Sequence, residues 1–98
     1  MKKVILRLFL GLLGAALLLF ALGMIEYIKA NSNNGTLVSG GEKRAYLLYV
    51  PKSYNPATPT PLVISIHGYV EWPAHQAQIS RWNRLADEQG FIMVYPSG

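Results

Sequence analysis

The sequence predicts an α/β domain behind an N-terminal apolar helix, and three observations predict it. Residues 8–25 (LFLGLLGAALLLFALGMI) are 18 consecutive residues without a charge. Leu62–Ile66 (LVISI) and Phe91–Tyr95 (FIMVY) are short, almost continuous apolar runs, the pattern of strands buried on both faces of a parallel sheet. Between them, Ile79, Trp82, Leu85 and Ala86 fall at helical spacing over residues 79–89, with Arg81, Arg84, Asp87 and Glu88 on other faces.

The apolar run comes first. At ~1.5 Å rise per residue it spans about 27 Å, close to the hydrocarbon thickness of a bilayer. Lys2, Lys3 and Arg7 precede it, and basic residues favour the cytoplasmic side, so the remainder of the chain is expected to be exported. Residues 1–29 read as a signal-anchor or signal peptide, with residues 4–28 in the membrane. A cleavable segment is shorter and ends at a small-x-small site. Here the only such exit is Ile28-Lys29-Ala30, which favours an anchor over cleavage; the product is then membrane-anchored and facing outward, or secreted or periplasmic if cleaved.

The net charge of +4 sits mostly in this segment, because residues 1–29 carry +3 and residues 30–98 only +1. The exported part has no basic stripe, which argues against nucleic acid as a partner. It has no cysteine, so disulfides and thiolate metal sites are excluded.

Residues 30–35 form a polar linker. Thr36–Ser39, Gly40-Gly41 and the Val-, Leu- and Tyr-rich run to Val50 predict a hairpin over residues 36–50, since paired glycines tolerate the positive φ of a tight turn. Pro51 stops the second strand. Residues 52–61, with three further prolines, predict a surface loop. Strand 62–66, an irregular stretch over 69–78, helix 79–89 ended by Gly90, and strand 91–95 complete a β-loop-α-β unit whose strands should run parallel. Trp82 is expected in the core.

This topology places His67-Gly68-Tyr69 just beyond the carboxyl end of a parallel strand, where ligands sit in open α/β sheets. Backbone N–H groups there have lost their ladder partners. Gly68 lets a ligand approach the main chain, so the turn has the makings of half an oxyanion hole. His67 and His75 as a metal pair lack a third ligand, and no metal or other cofactor is expected. Trp72 and Tyr69 could line a substrate pocket or simply pack in the loop. Glu71 reads as a surface charge and Asp87 as a solvated or locally bonded carboxylate.

The landmarks RAYLLYVPKSY, PLVISIHGY, ISRWNRLADEQGF and IMVYPSG, in that order, resemble the N-terminal part of an α/β-hydrolase of the polyhydroxybutyrate depolymerase and feruloyl esterase family. The resemblance covers residues 44–98. It implies a partial α/β-hydrolase domain over residues 36–98, with first strands in the sheet order one, two, four, three. It implies a serine esterase acting on polyester oligomers or feruloylated polysaccharides. The oxyanion donor would be the backbone N–H of Tyr69, with His67 and Gly68 shaping the turn. The family's nucleophile lies in a G-x-S-x-G elbow, followed by its acid and its histidine. No serine here has glycine at both flanking second positions, so the triad is absent from this chain. A triad role for His67 also conflicts with the family's chain order. The chain is thus expected to be an N-terminal fragment, inactive alone. Two rivals remain: a fragment of a prolyl-oligopeptidase-type peptidase, whose sheet carries a similar strand-His-Gly turn, and a non-catalytic membrane-tethered module.

Overall fold

In the computed structural model, which describes residues 1–98, Lys2–Asn31 is one continuous helix, α1. Its 30 residues would extend about 45 Å. Its most apolar window has a mean hydropathy of 2.6, and none of its residues is buried. A helix apolar on every side suits lipid or the interior of a much larger protein, and α1 is long and apolar enough to cross a membrane. With Lys2, Lys3 and Arg7 held inside, a reporter fused after Gly98 should work only if it requires export. Activity of a cytoplasm-only reporter at that position would refute this orientation.

Residues 31–98 form the second compact unit, a four-stranded mixed sheet with two helices. Strands β1 (Gly35–Ser39) and β2 (Glu42–Tyr49) make the expected hairpin. Gly40 and Gly41 have φ of 60° and 79°, the two consecutive positive values that a type I′ turn requires. Asn34 extends the pairing, accepting from Leu48 N–H (2.6 Å) and donating its side-chain amide to Leu48 O (2.8 Å). Gly35 lies under the Tyr46 ring, where a Cβ would collide with it. Gly35→Val should therefore destabilise the hairpin by about 1–3 kcal/mol, the usual range for overpacking, as measured by denaturant unfolding.

The sheet order is β1-β2-β4-β3, with β3 spanning Leu62–Ile64 and β4 Ile92–Pro96. β2 runs antiparallel to β4, and β3 parallel to it. This matches the strand order that the family resemblance implies, with shorter or shifted ends: β3 stops at Ile64, and Pro96 closes β4 opposite Tyr46.

The helical region departs from expectation. In place of one helix over 79–89 there are two, α2 (Pro73–Ser80) and α3 (Trp82–Gln89), separated by Arg81 at φ 57°. Residues 73–78 are therefore helical, not irregular. Pro73 occupies the first turn of α2, where a missing N–H costs nothing. The left-handed residue at 81 turns the chain so that both short helices pack on β4. This break also corrects the placement of Trp82. It is 36% exposed, meeting Phe91 edge-on at 6.2 Å, and Ile79 and Leu85 are more exposed still. Of that expected face only Ala86 is buried. Gly90 ends α3 as anticipated, at φ 76°, donating its N–H to Ala86 O (2.8 Å).

The core is thin. Ala86, Met93 and Tyr95 are fully buried, with Leu47, Tyr49, Val63, Ala77 and Phe91 packed around them. Polar pins hold its rim. Tyr95 O–H donates to Asn83 Oδ1 (2.6 Å), and Tyr49 O–H donates to Asp87 Oδ2 (2.6 Å), whose other oxygen accepts from Lys52 N–H (3.4 Å). The bond to Asp87 holds the Tyr49 phenol above its ordinary range, and burial does the same for Tyr95.

Alternation leaves the other sheet face open. Tyr46, Leu48, Leu62, Ile64 and Val94 line a concavity of about 470 Å³ there. β3 is also an edge strand, with Leu62, Ile64 and Ile66 exposed. A bare apolar edge pairs with other chains. Residues 31–98 expressed alone should self-associate at micromolar concentration, and Ile64→Lys should suppress it, as read by sedimentation. A wild-type monomer with a sharp thermal transition would refute this.

Candidate functional site

The site is the segment where β3 leaves the sheet. Ser65 N–H still donates to Val94 O (3.0 Å), and its buried hydroxyl accepts from Gln76 Nε2 (3.0 Å), which ties the strand end to α2. Ile66 to Gly68 then carry the chain out of the ladder.

His67 bridges the ends of the two parallel strands. Its Nδ1 lies 2.8 Å from Gly68 O and its Nε2 lies 3.1 Å from Ser97 O. Both partners are carbonyl oxygens, which only accept, so only the imidazolium satisfies both. The Gly68 carbonyl, then the Ser97 carbonyl, raise the His67 pKa above its ordinary 6.5; desolvation opposes them, and the Glu71 carboxylate adds a lesser upward push. Because the folded value is raised, the contribution of His67 is complete below pH 6.5 and fades as pH climbs through the raised value. The Gly68 and Glu71 amides, the two that are bonded in this turn, should accordingly lose protection from exchange in mildly alkaline buffer, after correction for intrinsic rates. His67→Gln should remove that pH dependence.

A β-turn spans residues 68–71, closed by Glu71 N–H donating to Gly68 O (3.2 Å). Its third residue, Val70, has φ 63°, the position where type II turns favour glycine. A β-branched residue there is strained, typically by ~1–3 kcal/mol. Its side chain is 78% exposed, so packing does not offset the strain.

Tyr69 stands at the tip, 98% exposed. Its backbone N–H donates to no acceptor in the chain. The Gly68 N–H, in contrast, is occupied by Glu71 Oε2 at 3.1 Å. The same oxygen lies 3.7 Å from His75 Nδ1, which is buried without a hydrogen-bond partner. Trp72 stacks obliquely on His75, with ring centroids 5.0 Å apart, and its Nε1–H donates to Asn31 Oδ1 (2.8 Å).

The structure thus brings His67, Gly68, Tyr69, Glu71, Trp72 and His75 into one loop cluster. Glu71 is not a bare surface charge. It is half-buried and holds the turn, a role its sequence surroundings did not signal. Ser65 is bonded to Gln76 and Ser80 to the Trp82 N–H, so neither is paired with a histidine base. No three acidic, histidine or cysteine side chains converge as a metal site.

No family model matches the chain. Over 58 residues it is 40% identical to a bifunctional acetylxylan esterase/xylanase from Neocallimastix patriciarum. That match takes in 59% of this chain and 8% of the relative, so the chain spans a small part of the relative's length.

Proposed function

We propose that residues 36–98 form the first strands and the oxyanion-stabilising turn of an exported carboxylic-ester hydrolase of the α/β-hydrolase type. The single observation carrying this reading is the unpartnered Tyr69 N–H, presented in a strained turn just beyond a parallel strand. The esterase named in the relative supports the same reaction class. In that reaction a serine attacks the ester carbonyl, and the carbonyl oxygen gains negative charge as the tetrahedral intermediate forms. A fixed backbone N–H stabilises that charge. His67 supports the turn through its two carbonyl bonds, and Trp72 flanks it.

The nucleophile, acid and base are not among these residues, so the 98-residue chain should show no esterase turnover above background. Hydrolysis of a nitrophenyl ester that a serine-reactive phosphonate abolishes would refute this. Of the two substrate classes that the resemblance implies, polyester oligomers and feruloylated polysaccharides, the relative's name favours an ester-bearing polysaccharide in general and has no counterpart to the polyesters. α1 serves as the export signal or anchor.

The test is a hybrid enzyme. Residues 35–98 replace the matching segment of the Neocallimastix esterase, and acetyl-ester hydrolysis is measured. An active hybrid supports the assignment. A folded but inactive hybrid sinks it.

A further inference from the structure

Beyond His67 the backbone N–H groups of the turn are not equivalent. Those of Tyr69 and Val70 donate to no acceptor in the chain, whereas the Gly68 N–H is taken by a carboxylate three residues ahead. Glu71 contacts Gly68 twice, through its side-chain oxygen (3.1 Å) and through its own N–H to Gly68 O (3.2 Å). The ring closed by these bonds contains Tyr69 and Val70, the exposed tip and the strained residue.

We propose that Glu71 is a positioning residue that withholds one donor of this turn: by occupying the Gly68 N–H it fixes the loop and leaves only the N–H groups of the tip, Tyr69 and Val70, to be offered to a ligand oxygen. A hydrogen bond to an ionised acceptor is stronger than one to a neutral oxygen and more costly to lose. Without it, nothing else described in the loop bonds the Gly68 N–H, and the strain at Val70 favours opening. An open turn adds the Gly68 N–H to the donors on offer and leaves none of them fixed. A packing role predicts something different, because Glu71 is not in the core cluster and its removal should leave the sheet intact. The catalytic meaning of this selection rests on the oxyanion reading of Tyr69, but amide exchange tests the selection without it.

The experiment uses the full 98-residue chain in lipid nanodiscs, with amide exchange and amide chemical shifts read by nuclear magnetic resonance. In Glu71→Ala, Gly68 should exchange about tenfold or more faster, as expected for losing a bond to a charged acceptor. The Met93 and Tyr95 amides should stay within about twofold, because local opening is separate from global unfolding. Glu71→Gln keeps an acceptor oxygen and should restore most of the Gly68 protection. The Tyr69 amide should exchange rapidly in all three proteins. Unchanged Gly68 exchange in Glu71→Ala overturns the proposal, as does protection of Tyr69 in the wild type. Either result is independent of whether the hybrid enzyme is active.

Discussion

Tyr69→Pro in the hybrid enzyme should lower kcat by about 100- to 1,000-fold, the loss expected for one oxyanion donor. The substitution is close to a single-atom test. Tyr69 is the second residue of the 68–71 turn, and proline is favoured at that position because its fixed φ suits the turn. The Tyr69 N–H makes no bond inside the chain, so removing it breaks nothing in the fold. The ring is 98% exposed, so its loss costs no packing. Tyr69→Ala, which keeps the N–H, is the control and should remain within a fewfold of the parent. Equal loss in both variants would mean that the ring, not the backbone, acts on substrate. No loss in either would remove the oxyanion role.

Met93→Ala should destabilise residues 31–98 by about 2–5 kcal/mol, the range for truncating a buried large side chain. Met93 is fully buried on β4 and forms the core cluster with the fully buried Ala86 and Tyr95. Domains are stable by only ~5–15 kcal/mol, and small ones lie toward the bottom of that range. One such truncation therefore removes much of what holds the sheet. Val94→Ala, one residue on, faces the open side and should cost under about 1 kcal/mol. Denaturant unfolding of the full chain in nanodiscs distinguishes the two. Equal costs would mean that the second face is covered in solution.

The order of elements was readable in the chain because each has a local cause. The hairpin comes from Gly40-Gly41 between β-forming runs, and the two parallel strands from apolar runs bounded by proline. The end of α3 comes from Gly90. Helix α2 was not readable from periodicity, because Ala74-His75-Gln76-Ala77-Gln78 shows no apolar stripe; Pro73 at its first position was the one local signal. The split at Arg81 was hidden for a different reason. Ile79, Trp82, Leu85 and Ala86 match a continuous helix, and a non-glycine residue in the left-handed region carries no sequence mark.

The sequence alone determined that an apolar helix with basic residues before it precedes a small α/β unit. It also placed His67-Gly68-Tyr69 beyond a parallel strand, because strand order and turn chemistry are written in neighbouring residues. Tertiary structure alone decided that the Gly68 N–H of that turn is taken and the Tyr69 N–H is free. The reason is physical. Whether the Gly68 or the Tyr69 N–H remains unbonded depends on where the Glu71 carboxylate lands, and whether His67 can steady the loop depends on Ser97 arriving beside it from 30 residues away. The Ser97 contact exists only once β3 and β4 lie side by side, and the Glu71 contact, though only three residues long, closes over a left-handed Val70 that no sequence pattern marks.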